Sequence, residues 1–406
     1  MVKRGILVWL LVAAYEIIQW EVSQMEDKYE EVLAQYPIQY KNKRRVRGAV
    51  LLETEDGLRL LRSYNGHRSH LVVEEQIKRY LMEQGYPYVD LAVENGQGEL
   101  LSRDGLGGLW IMRRWYTGKE CDIRDAKEVS QAAAHLGKLH QMLVLPENFW
   151  EELAEERKRE AGNRSSAEGN QEIEENQMDS GYGEEVSGNL SKVNQNGEFS
   201  KNRKETDQRE QVYFAKRNRE LKRIHSYIRK KRRKNEMELG LLNAFSYYYE
   251  QGCEAERIDA EGDVYRSLYQ QALQQRQYIH GSYNYHNLLI QGKRIATMNF
   301  DNTKLGIPVL DLYGFLRKVM EKNGWQCDLG TQILEVYRQN RGLSELECKL
   351  LYMLLLYPEK YWKQCNFYYN GKKSWMSVKN YDKLLRLQAQ EQDRRQFLET
   401  IKGVLF

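Results

Sequence analysis

The sequence predicts an α+β fold: a small β-rich region at residues 40–118, then a larger helical region. Three observations carry that expectation. Two β-prone runs flank an Asp-Gly turn early in the chain, helical spacing of apolar residues dominates the later two thirds, and a long polar stretch divides that helical part. With 62 Lys plus Arg against 58 Asp plus Glu and a net charge of +4, the 406 residues exclude a strongly charged tail protein. The 5 cysteines form no Cys-x-x-Cys pair and none stands at metal-ligand spacing from a histidine, which argues against a disulfide scaffold or zinc ribbon. Tyrosine, with 28 copies, is in excess; its apolar ring and polar tip suit wet interfaces.

Lys3-Arg4 followed by Ile6 to Tyr15 has the charge and apolarity of a signal peptide. Ala13-Ala14-Tyr15 is a poor cleavage site, however, and the run is shorter than the roughly 20 residues that span a bilayer. An amphipathic helix and a true start at Met25 are the alternatives.

A helical stretch is expected around Glu30 to Gln35. Arg47 to Thr54 and Leu58 to Tyr64 read as two strands of a hairpin turning at Asp56-Gly57. Val72, Val73, Ile77 and Leu81 recur at helical spacing, and Gly85 with Pro87 beyond it ends that helix. Val89 to Val93, Glu99 to Ser102 and Leu109 to Trp115 complete the sheet. Residues 125 to 143 form a second helix with Ala133, Leu136, Leu139, His140 and Leu143 on one side. Residues 151–212 carry almost no aliphatic side chains, cannot offset the entropy of ordering, and read as a disordered polar insertion. Helical periodicity resumes at Tyr213, passes through the basic run 229–234 and continues to about Gln275. Ser344 to Glu347 is a capping box that opens a Leu-rich helix ending before Pro358.

The chemistry is concentrated in Tyr278-Ile279-His280-Gly281-Ser282, then Asn287-Leu288-Leu289-Ile290, Met298-Asn299-Phe300-Asp301 and Leu310-Asp311-Leu312. This resembles the catalytic block of the aminoglycoside phosphotransferase and choline kinase group of kinase-like enzymes: His-Gly-Asp, four residues, Asn, two short strands, then Ile-Asp-aromatic-Asp/Glu and a later Asp-Leu. In that group the first Asp orients and deprotonates the attacking hydroxyl, while Asn and the second Asp hold Mg²⁺ against the phosphates. Here Ser282 stands at the catalytic-base position and Asn299 at the principal metal-ligand position. A serine hydroxyl is no base near neutral pH without a partner, and loss of a general base costs roughly 10²- to 10⁴-fold. Asn287 keeps the second metal position. If Met298 to Asp301 is extended, Asp301 shares a face with Asn299 and could substitute as metal ligand.

The resemblance further places Arg62 where a phosphate-binding Lys would stand and Glu74, or alternatively Glu75, at its helix partner, for nucleotide binding; Arg for Lys is not conservative at a point-charge site. Arg47-Gly48-Ala49 holds a single Gly, so no glycine-rich phosphate loop precedes the hairpin, and Trp115 to Gly118 would be the hinge. His280 and Asp311 are expected to brace the loop, Asp311 as a buried acceptor for its backbone, and His286 to lie on the loop surface.

Several further stretches are similar to the CotS family of bacterial spore-coat proteins: Arg47 to Thr54, Glu83-Gln84-Gly85-Tyr86-Pro87, Gly118-Lys119-Glu120-Cys121-Asp122, Tyr357 to Trp362 and Lys372-Lys373-Ser374-Trp375. That resemblance implies a bilobal protein-kinase-like fold of aminoglycoside phosphotransferase type, with an extension at 1–26, an N-lobe at 27–118, the start of the helical C-lobe at 119–150, the insertion, and the remaining C-lobe with its degenerate catalytic loop at 213–406. It implies a catalytically impaired pseudokinase serving as a structural or assembly component of the spore coat, made in the mother-cell cytoplasm, with other coat proteins as partners and no membrane span. No cofactor is required on this reading; Mg²⁺ and ATP enter if the cleft is functional, and a nucleotide or glycan is a ligand the cleft could still bind. The alternative is an active ATP-dependent phosphotransferase acting on a small hydroxyl-bearing or sugar-like substrate through a rearranged metal site.

Two features remain open on the sequence. The basic run 229–234 reads as a solvated helix face, as an assembly surface pairing with Glu172, Glu174 and Glu175 or with an acidic coat partner, or as a nucleic-acid site; nucleic acid is not the expected partner. Consecutive aromatics at Tyr247-Tyr248-Tyr249 and Phe367-Tyr368-Tyr369 cannot all face inward, so some are exposed; the family resemblance adds oxidative cross-linking as their use in a coat.

Overall fold

A computed structural model describes residues 29–151, 155, 213–370 and 378–406. The N-terminal extension with its signal-like segment, the polar insertion apart from Glu151 and Glu155, and the Lys372–Trp375 stretch lie outside the described residues. The chain divides into two compact units: one runs to Lys119 and includes Ala296–Met298, the other comprises Glu120–Ile295 and Asn299–Phe406.

The first unit is an antiparallel sheet. Strands β1 (Tyr40–Val46), β2 (Ala49–Thr54) and β3 (Gly57–Ser63) form a meander. β4 (Ala92–Val93), β5 (Ser102–Arg103) and β6 (Leu109–Trp115) extend it in the order β1-β2-β3-β6-β4, with β5 also on β6. The hairpin register pairs Thr54 with Gly57, so the turn is Glu55-Asp56 and Gly57, at φ 112°, already opens β3. That is one residue earlier than the Asp-Gly signal suggests. β1 is a strand that its sequence does not announce: Tyr-Lys-Asn-Lys-Arg-Arg-Val has no apolar alternation because, as an exposed edge, it buries nothing, and its charges discourage edge-to-edge pairing. The expected strands at Val89–Val93 and Glu99–Ser102 shorten to two residues each. Asn95 is the physical reason, since its side-chain oxygen accepts from the Gln97 and Glu99 N–H groups and turns the chain locally.

One sheet face packs Val50, Leu52, Leu61 and Met112 against Tyr29, Val32, Leu33 and Tyr36. The other receives helix α1 (Arg68–Glu83), whose Leu71 joins Ile111, Ala92 and Leu101. α1 stops where its sequence says: Gly85 takes φ 83°, its N–H bonds the Met82 carbonyl at 3.0 Å, and the Tyr86 N–H bonds that of Leu81 at 2.8 Å. This is the glycine-terminated Schellman closure of a helix.

The second unit is mostly helical. α2 (Ala126–Met142) is capped by Asp125, whose side chain accepts from Lys127 and Glu128. The single helical run expected from Tyr213 to Gln275 is in fact three helices, α3 (Tyr213–Lys230), α4 (Glu236–Gly262) and α5 (Val264–Gln274). The first break falls inside the basic run. Six like charges in succession repel, and Asn235 offers a better alternative as the N-cap of a full capping box with Glu238, at 2.9 Å in both directions. Asp263, left-handed at φ 45°, makes the second break. α6 (Val309–Lys322), α7 (Cys327–Asn340), α8 (Glu345–Leu356) with its Ser344–Glu347 capping box, and α9 (Glu359–Asn370) follow. α3 is seated by Leu221, Ile224 and Ile228 against Leu241, Tyr248, Tyr361 and Tyr368. The aromatic runs split as alternation requires, with Tyr248 and Tyr368 buried and Tyr247, Phe367 and Tyr369 exposed. No helix among the described residues is long and apolar enough to cross a membrane.

Candidate functional site

The loop after strand Tyr278–Ile279 is held from behind by one carboxylate. Asp311, in the first turn of α6, accepts from the His280 N–H at 2.8 Å through Oδ2 and from the Gly281 N–H at 3.0 Å through Oδ1. Two charge-assisted bonds to successive amides fix the backbone direction. Behind Asp311 lies His140, fully buried, with Nε2 3.4 Å from Asp311 Oδ2 and Nδ1 2.8 Å from the Tyr337 hydroxyl. Burial pushes the His140 pKa down, against the pull of Asp311, and keeps its ring neutral. His280 is also fully buried; it accepts the Ser282 N–H on Nδ1 at 3.2 Å, and its ring packs on Phe300 at 4.5 Å between centroids.

Gly281 is required here. It sits at φ 74°, and a Cβ would lie 2.1 Å from the Asn302 carbonyl oxygen. The close approach that excludes a side chain also delivers Asn302, whose Nδ2 donates to Ser282 Oγ at 2.6 Å. Sequence reasoning missed Asn302; an amide one residue after Asp301 carries no motif of its own.

Ser282, Asn287 and Asn299 come together in a network of neutral groups. The Ser282 carbonyl accepts from Asn284 Nδ2 at 2.7 Å and from Asn287 Nδ2 at 2.9 Å. Because the Asn287 amide nitrogen is committed there, its Oδ1 is the atom that faces Asn299, and it accepts from Asn299 Nδ2 at 2.9 Å. Asn299 is left-handed at φ 61°, a conformation Asn tolerates better than most residues. Met298 to Asp301 is therefore not extended: Asn299 reverses the backbone and a turn closes from Phe300 to Thr303 at 2.8 Å. The shared-face argument for Asp301 as substitute ligand fails on that geometry. His286 lies at the surface with Nδ1 2.7 Å from Glu120 Oε2.

In the first unit, Glu74 is fully buried and pairs with Arg113 at 2.8 Å and Lys78 at 3.0 Å. Glu75 pairs with the same two cations and accepts the Ala92 N–H at 2.9 Å. Asp90 lies 3.6 Å from the Lys78 ammonium and 3.9 Å from Arg113 Nε. Burial alone would raise the Glu74 pKa; Lys78 and Arg113 overcome it and hold the carboxyl well below the usual range. Arg62 is half-buried on β3, in register with Ile111 on β6. Arg113 and Lys78 were not singled out in the sequence, although Glu74-Glu75 at three- and four-residue spacing from Lys78, and an arginine two positions from Ile111 on an apolar strand, were available signals.

Residues 171–401, more than half of the chain, match the family described as "Spore coat putative kinase YutH". The chain belongs to this spore-coat kinase family. No curated protein matches the sequence. Among solved structures, an aminoglycoside phosphotransferase from Alicyclobacillus acidocaldarius is similar over 93% of this chain and 96% of its own, with a TM-score of 0.70 at 15% identity. An amicoumacin kinase solved with AMP-PNP, Ca²⁺ and amicoumacin has a TM-score of 0.48 at 13% identity over 92% and 93% of the two chains. A choline/ethanolamine kinase family protein from Mesorhizobium loti has 0.43 at 11% over 94% and 99%. The first likeness gives this spore-coat family member the bilobal kinase-like fold, α+β with a small sheet-bearing unit and a larger helical one.

In this family member Asn287 and Asn299 are poor ligands for a divalent cation. Mg²⁺ favours carboxylate oxygens, whereas the Asn287 oxygen faces an amide N–H and Asn299 supplies no charge. No group of three His, Cys, Asp or Glu among the described residues is placed to hold a metal ion. Nor does an imidazole or carboxylate bond the Ser282 hydroxyl, whose partner among the described residues is the Asn302 amide.

Proposed function

We propose that this chain is a structural or assembly component of the spore coat, built on a kinase fold whose phosphoryl-transfer machinery is impaired. One observation carries the reading: Ser282, Asn287 and Asn299, at the base and metal positions, are neutral and bonded into a single amide network with Asn284 and Asn302. Phosphoryl transfer depends on charge placed against the phosphates and on a group that accepts the hydroxyl proton. Neither is supplied by amides and an unactivated serine. The family's description supports a place in the coat, and the reading adds synthesis in the mother cell and other coat proteins as partners. A nucleotide or glycan bound without chemistry is compatible with it.

The test is thermal unfolding of the full chain with and without Mg²⁺-ATP, beside a Ser282→Asp, Asn299→Asp double variant. No shift is expected in the wild type. The double variant should gain one, because a ligand at a hundredfold excess over its Kd adds about 2.7 kcal/mol, a few degrees in a domain of this size. A Mg²⁺-dependent shift in the wild type, together with ATP turnover lost on Asp301→Ala, would overturn the reading in favour of an active phosphotransferase.

A further inference from the structure

Helix α3 has two faces of different chemistry. Phe214, Leu221, Ile224 and Ile228 point into the core. On the outer side Lys216, Arg219, Arg223 and Lys230 follow one another at steps of three, four and seven residues, which is a single row along the helix, and all are exposed. Arg229 on the last turn and Arg232 and Arg233 in the loop beyond extend the same exposed charge. From Lys216 to Lys230 the row is about 21 Å long at 1.5 Å per residue. The single acid within α3, Glu220, is turned aside to accept from Trp362 Nε1 at 2.8 Å and Asn366 Nδ2 at 3.0 Å.

Several other exposed cations of the helical unit are paired with acids on their own surface. Arg257 is forked between Glu254 and Glu261, Lys349 pairs with Glu345 and Lys360 with Glu321. Among the described residues no ion pair reaches any of the seven on and after α3, while the neighbouring Lys231 is taken by Glu238. A merely solvated helix face normally interleaves both signs. This one is uncompensated.

The compensating charge is in the same chain. Between Arg164 and Lys192 the sequence holds seven acids, from Glu168 to Glu185, and no Lys or Arg. Twenty-one residues, 192 to 212, then lead to Tyr213, the first residue of α3. Random-coil statistics for that many residues give a root-mean-square span of about 25 Å, long enough to reach along the row, and a tether of that reach gives an effective concentration of roughly millimolar. We propose that the acidic segment Glu168–Glu185 docks on the basic outer face of α3, covering that face against other polyanions. The inference is independent of how the catalytic loop is read.

The experiment uses the full chain and heparin as probe polyanion at about 0.1 M salt, where the Debye length is about 10 Å. One variant neutralises the acidic segment with Glu172→Gln, Glu174→Gln, Glu175→Gln and Glu184→Gln. A control removes the same number of charges nearer the helix with Glu198→Gln, Glu205→Gln, Asp207→Asn and Glu210→Gln. The segment variant should bind heparin on the order of tenfold more tightly than the wild type, the control should change little, and Arg219→Glu with Arg223→Glu should erase the difference. A labelled peptide of residues 165–191 should bind the segment variant and be released by salt. Equal heparin affinity in wild type and segment variant, or an equal gain in the control, would overturn the proposal. So would a wild type that binds a single-stranded oligonucleotide as tightly as the segment variant does, since the face would then be open to nucleic acid.

Discussion

The two units treat charge in opposite ways. Behind the sheet, Glu74, Glu75, Asp90, Lys78 and Arg113 form one network of acids and bases in an interior that is at most 2% exposed. In the loop after Ile279, the half-buried positions at which the resembling kinases carry acids hold Ser282 and Asn299, and Asn287 beside them is neutral as well. Buried ion networks are costly to build and more costly to break, so the charges this chain keeps are those on which packing depends. The loop backbone is braced by Asp311 from behind, through the His280 and Gly281 N–H groups.

The sharpest way to break this comparison is to remove a partner from the buried network. Arg113→Leu leaves Glu74, Glu75 and Asp90 facing Lys78 alone, and should cost about 3–5 kcal/mol in urea unfolding. Ser282→Ala, which removes a single hydroxyl, should cost less than about 1 kcal/mol. Comparable losses would mean that the loop network is as structural as the buried one.

A smaller effect separates the back of the loop from its front. Asp311→Ala strips two successive N–H groups of a charged acceptor, for which about 2–4 kcal/mol is expected from bonds of this kind. Asn299→Ala removes one amide bond between half-exposed groups and should cost about 1 kcal/mol. Far-UV circular dichroism should remain native in both. If Asn299→Ala proves the more damaging, the amide network has become part of the scaffold.

Much of this was legible before any coordinates. The hairpin, α1 with its Gly85 stop and the capped start of α8 follow from periodicity and terminal residues, which are local signals. β1 was not legible, because a charged edge strand has no apolar face to display. The break after α3 was hidden because the basic run looks helical until the Asn235 cap is weighed against it. The positions of Ser282, Asn287 and Asn299 came from the resemblance to a kinase catalytic block, but their mutual bonding did not: it depends on the left-handed turn at Asn299 and on the approach of Asn302 across Gly281. Long-range partners such as Arg113 for Glu74 and Tyr337 for His140 are fixed by packing between elements far apart in the chain, and no local pattern encodes them.

The gentlest probe is pH, because it acts on the brace without removing an atom. Burial lowers the folded-state pKa of His140, so the unfolded chain binds its proton more readily. The stabilising contribution is then complete above the unfolded value of about 6.5 and is lost as pH falls below it. One such histidine steepens the loss of stability by at most about 1.4 kcal/mol per pH unit just below 6.5. In urea unfolding between pH 7 and 5.5, His140→Gln should be less stable than the wild type at pH 7 yet show a shallower decline. Parallel curves would mean that His140 accepts a proton in the folded state, and that the pair with Asp311 is an ion pair instead of a neutral brace.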